Sequence, residues 1–295
     1  MKHVLSVSLG SDSRDSSVVQ SFLGQDVLIE RRGTNGDKDK LCELIREYDG
    51  KIDAFGLGGT DLYIYSAGRR YTFRESEQIA QNAKRTPLVD GSGIKNTLER
   101  KLPDILKTKY NIDLQGKKVL VVSAIDRFGL AEAIAAKNCM VTYGDLIYGL
   151  GINYPLHSLA TLNKIARVLL PIITKLPVKY IYPMGAKQTL QETRCPKYFY
   201  ENEVIAGDFH FIRRFMPKEM HNKIIITNTV TPEDTALLKA SGVALLITTT
   251  PQMQGRSFGT NVLEALLVAL GGSIETDYNN LLDKLDINPR VEYLN

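Results

Sequence analysis

The sequence predicts an α/β protein of two domains: an N-terminal α/β domain and a C-terminal Rossmann-like, doubly wound parallel sheet. Three observations carry that expectation. Short β-branched runs alternate with helical ones along the chain, which implies largely parallel strands joined by helices. The pattern restarts at Lys117, after a mostly helical stretch over 94–116 that serves as a bridge. The length of 295 residues, 43% of them hydrophobic and 24% charged, suffices for two modest cores. The expected boundaries are 1–112 for the first domain and 113–275 for the second, with a tail over 276–295 packing back on one of them.

In chain order, "HVLSVSL" (3–9) and "DVLIERRG" (26–33) read as buried strands, and "KDKLCELIREYDG" (38–50) as an amphipathic helix closed by Gly50. "KIDAFGLGG" is a third strand ending in a glycine cluster, and "TDLYIYSAGRRYTF" a hairpin turned at Ala67-Gly68. "RESEQIAQNAKR" is helical, and "TPLVDGSG" a strand that enters a glycine turn. Pro103 lacks an amide donor and should kink or divide the bridging helix. Strands then follow at 118–123, 139–143, 178–182, 223–228 and 243–249, with helices at 129–137, 158–175, 232–241 and 260–270. "FHFIRRF" fits either strand or helix, and 183–222 shows no decisive period.

Composition excludes several classes. The net charge of +4 is dispersed, with only pairs such as Arg69-Arg70 and Arg213-Arg214, which argues against a nucleic-acid partner and suits a small anionic substrate. Cys42, Cys139 and Cys195 are widely spaced without a C-x-x-C pair, as expected of a reducing cytoplasm. No run of about 18 apolar residues suggests a membrane span, and the N-terminal apolar run is too short for a signal segment. His3, His157, His210 and His221 lack metal-binding spacing, so no metal is expected. There is no Walker A lysine in "GRSFGTN" and no G-x-S-x-G elbow. A homodimer is compatible with all of this.

Three turns carry the candidate chemistry. In "VVSAIDRFGLAEAIAA", Ser123 takes the first small position, Arg127 the place of a middle glycine and Gly129 the last. A nucleotide turn needs small residues so that backbone amides approach a pyrophosphate, which makes Ser123, Ala124, Arg127, Phe128 and Gly129 cofactor-binding candidates. Asp145, 22 positions after Ser123, stands where a ribose hydroxyl would be accepted, favouring NAD, whereas Arg127 would suit the 2′-phosphate of NADP. A bare βα turn and a helix cap account for the same residues. "PLVDGSGIKNTLERKL" brings Asp90, Ser92 and Lys95 to a helix mouth, and "LLITTTPQMQGRSFGTN" brings Thr248, Thr249, Thr250 and Gly255 to another. In an open parallel sheet such turns gather at the carboxyl edge, where ligands bind. Asp61, Arg69 and Arg70 are the substrate-side candidates, the two arginines suiting a carboxylate clamp.

"VDGSG", followed about thirty residues later by the βα turn, resembles the T-D-G-x-G segment of shikimate and quinate 5-dehydrogenases, and "TTTPQMQG" resembles their N-T-T-P-x-G strand end. The resemblance covers roughly residues 85–270. It implies an N-terminal substrate domain, a C-terminal NAD(P) domain and hydride transfer to or from a cyclic hydroxy acid. It also implies Asp90 as the catalytic aspartate and Thr248 to Gly255 beside the nicotinamide. The family's lysine motif, N-V-T-x-P-x-K, has no counterpart in "GLGGTDLYIYSAGRRYTF"; Lys95, five residues after Asp90, is the candidate proton carrier in its place, with Tyr63 and Tyr65 as other acids, while a solvated surface lysine and packed hairpin tyrosines account for the same residues. Two other functions fit a nucleotide-type fold: ligand binding without chemistry, and transfer from a nucleotide-linked donor in the same cleft.

Overall fold

The computed structural model describes every residue except 67, 179–190, 254–255, 258 and 273–277. Most of the strand expected at 178–182, and the candidate Gly255, lie outside the described residues. The first sheet has the order β2-β3-β1-β4-β7. Its strands are β1 (Lys2–Ser8), β2 (Ser16–Phe22), β3 (Gln25–Gly33), β4 (Ala54–Gly58) and β7 (Leu88–Val89), all parallel except β2. Helices α1 (Lys38–Tyr48) and α2 (Arg74–Ala80) flank the hairpin of β5 (Tyr63–Ser66) and β6 (Arg69–Thr72) in the chain. Helix α3 (Ser92–Tyr110) leads to the second sheet, β8 (Lys118–Val121), β9 (Met140–Tyr143), β10 (Val204–Ala206), β11 (Ile224–Thr227), β12 (Leu245–Thr248) and β15 (Arg290–Tyr293). Its order is β15-β12-β11-β10-β8-β9, with β15 alone antiparallel. The remaining elements used below are α4 (Phe128–Ala135), α5 (Leu159–Ile173), α7 (Phe209–Phe215), α9 (Thr260–Ala269) and α10 (Asn279–Lys284), α6, α8 and the hairpin β13–β14 being Lys197–Glu201, Pro232–Ala240, and Gln252–Met253 with Arg256–Ser257.

The central strands of each sheet are buried on both faces, which is why they read as continuous apolar runs. Val119 and Val121 of β8 join one core with Phe128 and Ile134 of α4, whereas Leu120 and Val122 join another with Phe199, Phe209 and Phe215. In the first sheet, Val4 and Ala54 pack toward α9, and Leu5, Val7 and Phe55 toward Leu41 and Ile45 of α1.

Packing redraws the division between lobes. Helix α9, expected within the second domain, inserts Val262, Leu263, Leu266 and Leu267 into the core of the first sheet. Four such side chains are worth on the order of 6–12 kcal/mol of apolar burial, so α9 is integral to the first lobe. The tail divides: Leu282 of α10 joins that core, while β15 pairs with β12. Helix α3 belongs to both lobes, with Ile94 and Leu98 in one core and Leu102 and Leu106 in the other. It runs unbroken through the buried Pro103, so the expected division of this helix does not occur. "FHFIRRF" is α7, capped by the Asp208 carboxylate accepting from the His210 amide.

Candidate functional site between the two lobes

In each sheet the strand order reverses beside the first strand. β1 lies between β3 and β4, and β8 lies between β9 and β10. Such reversals open a crevice at the carboxyl ends of the strands. Both open onto one cleft of about 610 Å³, lined by Ser8, Gly10 and Gly58 to Asp61 from the first lobe and by Asp126, Arg127 and Asp208 from the second. The glycines of "AFGLGGTD" let the start of α9 reach this place. A Cβ at Gly56 would stand 2.7 Å from the Asn261 carbonyl oxygen, and one at Gly58 would stand 3.0 Å from Ser8 Oγ. Gly91 has φ +92, a conformation only glycine adopts cheaply, and any Cβ there would lie 2.5 Å from Thr260 Oγ1.

The cleft floor is a buried chain of charges that joins the lobes. Lys95 Nζ donates to Asp61 Oδ1 at 2.7 Å and to Asp126 Oδ1 at 3.4 Å. Arg127 donates to Glu99 at 2.5 Å and to Asp208 at 3.1 Å, and its Nε lies 3.3 Å from Asp126. Asn228 Nδ2 closes the chain on Asp208 at 2.9 Å. Burial pushes the Asp61 carboxyl up to about 7 despite Lys95. Burial also opposes ionisation of Asp126, but Lys95 and Arg127 more than offset it and hold that carboxyl at about 2. The two carboxyls also hydrogen-bond each other, so near neutrality Asp61 carries the proton of the pair. Burial disfavours the charged forms of Lys95 and Arg127 too, yet their carboxylate neighbours raise both above their ordinary values.

The structure brings some of the expected residues together and separates others. Asp90, Lys95 and Asp61 all line the cleft, but Lys95 pairs with Asp61 rather than with Asp90. Asp90 instead accepts from the Leu62 amide at 2.5 Å and from the Ser92 amide and hydroxyl at 3.1 and 2.7 Å, which fixes the turn into α3. Arg69 and Arg70 do not form a clamp. Both are exposed on β6 outside the cleft, and the Arg70 guanidinium stacks 3.8 Å from the centre of the Tyr63 ring. Thr248, Thr249 and Thr250 are buried at the end of β12. Thr248 donates to the Thr250 carbonyl and Thr250 to the Asn228 carbonyl, and none lines the cleft.

The turn over 123–129 does not fit a dinucleotide. A pyrophosphate needs free amides, but the Ile125 amide donates to Asp145 Oδ1 at 2.9 Å and the Ala124 amide bonds the same carboxyl. Asp145 is therefore engaged with the turn rather than offered to a ribose, and burial pushes its carboxyl up to about 7. Phe128 and Ala124 lie in the core, and the side of Gly129 is covered by α3, whose Arg100 Cγ and Lys95 carbonyl oxygen stand 3.3 and 3.4 Å from a Cβ placed there. The Ser123 hydroxyl accepts from the Asp208 amide across the strand reversal. Arg127, expected to meet a phosphate, is enclosed by three carboxylates.

Sequence reasoning passed over Asp126, Glu99, Asp208 and Asn228. Asp126 lay inside the scrutinised turn, but attention to small residues hid it. Asp208 follows a strand of three residues, too short to show a period, and Glu99 is a charged residue at a helical position normally read as solvated. Among the described residues no cluster of His, Cys, Asp and Glu could hold a metal ion, and no helix is long and apolar enough to cross a membrane.

Fold and cleft together define a two-lobed α/β protein with its candidate site between the lobes. The chain belongs to the family described as domain of unknown function DUF8754, which matches residues 93–294, while residues 3–90 match the domain of unknown function DUF8753. No curated protein matches the chain. Solved structures with a general likeness include a galactofuranose binding protein (11% identical, TM-score 0.37, covering 100% of this chain and 95% of that one). Another is the periplasmic binding protein component of the arabinose ABC transporter from Shewanella sp. ANA-3 (11%, TM-score 0.36, 94% and 88%). A third is glutamate dehydrogenase from Thermus thermophilus (13%, TM-score 0.40, 91% and 68%).

Proposed function

We propose that the protein binds a small, hydroxyl-rich molecule in the cleft between its lobes. The observation that carries this reading is the meeting of two strand-order reversals on one cleft of about 610 Å³, a volume in the range of small-molecule sites. Its walls present the carboxylates of Asp90 and Asp208, the amide of Asn228 and the hydroxyls of Ser6 and Ser8, with Phe211 as an aromatic wall. Carboxylates accept from hydroxyl groups, and amides and serines both donate and accept, which is the complement a polyol requires.

A second reading, acid–base chemistry on that ligand, is favoured by Asp61. A buried carboxyl that titrates near 7, positioned 2.7 Å from the Lys95 ammonium, can give a proton to or take one from a ligand hydroxyl near neutral pH. Hydride transfer on a cyclic hydroxy acid is one chemistry of this kind, with any nicotinamide cofactor seated away from the 123–129 turn. Calorimetry of the full chain with neutral pentoses and hexoses, cyclic hydroxy acids, NADH and NADPH tests both. The expected outcome is saturable binding of a hydroxylated compound, with Asp61→Asn retaining binding and losing any turnover. Binding of NADH without any hydroxylated compound, or of nothing in the panel, would overturn the proposal.

A further inference from the structure

We propose that the outer face of α5 docks the protein on the surface of a bilayer rich in anionic lipid. Helix α5 is apolar nearly all round. On its inner side Leu162 joins the core beside β8 and β9, and Ala166 and Leu170 pack with Ile64 and Phe73. A surface helix of this kind ordinarily turns polar residues outward. Here Val168 and Ile172, one turn apart, are 66% and 60% exposed, Leu176 in the turn that follows is 44% exposed, and Pro171 is exposed beside them.

Charge selects the partner. Lys164 stands one turn before Val168, Arg167 adjoins it, and Lys175 adjoins Leu176. All three cations are exposed, and among the described residues none forms an ion pair or a side-chain hydrogen bond. The cations of α3 are used differently, since Arg100, Lys107 and Lys109 each pair with a carboxylate. The reason lies in the sequence: cations are spread along the chain, but acids are not. From Leu146 to Gln191 there is no Asp or Glu, although the chain has 33 of them, and the same stretch carries Lys164, Arg167, Lys175, Lys179 and Lys187. Those cations outnumber the net charge of +4, so the rest of the protein is slightly acidic.

A second copy fits this face badly. In a two-fold contact the face meets itself, and its cations meet cations with no carboxylate of the region to pair them. A folded partner of another kind would need aromatic or hydrogen-bonding anchors, whereas the stripe offers aliphatic side chains on a convex helix surface. A fluid bilayer moulds itself to such a surface. The aliphatic chains enter the boundary between headgroups and acyl chains, while lysine and arginine stay at the phosphates with their stems along the apolar side. Anionic headgroups supply the charge that the protein omits, and each cation so placed strengthens attachment about fivefold. Helix α5 then lies in the plane of the surface. No residue of α5 lines the cleft, so the inference stands apart from the reading of the cleft.

Co-sedimentation of the full chain with vesicles of phosphatidylglycerol and, separately, of phosphatidylcholine tests it, alongside Ile172→Gln and the pair Lys164→Gln with Lys175→Gln. These side chains are exposed, so each variant should keep the wild-type denaturation midpoint and its affinity for any cleft ligand. Expected is binding to phosphatidylglycerol that weakens with added salt and falls severalfold in Ile172→Gln and about twentyfold in the lysine pair, with phosphatidylcholine bound much more weakly. No binding to phosphatidylglycerol, equal binding to both lipids, or binding unchanged in the variants overturns the inference. So does a dimer in sedimentation equilibrium that Ile172→Gln dissociates, which would make a second copy the partner. Poly-glutamate bound as tightly as the anionic vesicles, with no loss in Ile172→Gln, would make the partner an acidic protein and overturn it too.

Discussion

Replacing Glu264 by Gln should make the protein more stable at pH 8 and leave it nearly unchanged at pH 4.5. Glu264 lies on α9 and is almost fully buried behind the Asp90 turn, where one oxygen accepts from the Tyr278 hydroxyl at 3.0 Å and the other has no hydrogen-bond partner among the described residues. The amides of Gly91 and Gly93 also bond this carboxyl, but burial and the nearby charge of Asp90 prevail and push it up to about 7 from an ordinary 4.5. Because the folded value lies above the unfolded one, the folded chain binds the extra proton between these limits, and stability falls as pH rises from 4.5 to 7. At about 1.4 kcal/mol per unit, the ionised glutamate costs about 3 kcal/mol of folding free energy above pH 7. Glutamine keeps one carbonyl oxygen for Tyr278 and the glycine amides and carries no charge. Urea unfolding of both chains from pH 4.5 to 8 should give curves that diverge by about 3 kcal/mol toward the alkaline end. Parallel curves would show that Glu264 is not kept from ionising by its surroundings.

Asp145→Asn should stabilise in the same pH direction, since burial also pushes Asp145 to about 7; a larger stability difference at pH 8 than at pH 5 checks it, and NADH affinity should be unaffected. Arg127→Met should cost about 3–5 kcal/mol by leaving Glu99 and Asp208 without their cation and Asp126 with Lys95 alone, seen as a fall in denaturation midpoint. Gly91→Ala should destabilise far more than Gly24→Ala. Both have positive φ, at a cost of about 1–2 kcal/mol, but the new methyl meets Thr260 at 2.5 Å in one and open space in the other.

Much of the architecture was legible because buried parallel strands leave a strong trace. β1, β3, β8, β11 and β12 are short runs of Val, Ile and Leu, and each appears within a residue or two of its expected place. The edge strand β2, "SSVVQSF", was missed because its outer face is polar and its pairing comes from β3 rather than from its own composition. The lobe to which α9 belongs was not legible at all. An apolar helix with Val262, Leu263, Leu266 and Leu267 buried states that it must be covered, not by which sheet. The site was read half correctly for a related reason. Asp61, Asp90 and Lys95 sit on the glycine turns that a parallel sheet sends to its carboxyl edge, so their common location followed from the fold. Their partners did not follow, because Lys95 reaches Asp61 and Asp126 across intervals of 34 and 31 residues that only tertiary packing closes.

The same packing explains why a strand, turn and helix with nucleotide-type spacing need not hold a nucleotide. The amides of a βα turn are satisfied either by a ligand or by the protein, and a carboxylate at the end of the neighbouring strand can do either, depending on which way it turns. Here Asp145 turns inward to the Ala124 and Ile125 amides, and Arg127 fills the strand reversal with a guanidinium already shared among three carboxylates. The corresponding reversal in the first lobe is lined instead by Gly10, Gly58 and Gly59, whose missing side chains let Ser8, Arg14, Arg31 and Asn261 pack against the backbone there. One reversal is filled by charge and the other lined by glycine, so a nucleotide-type spacing in the sequence does not by itself mark where a ligand would sit.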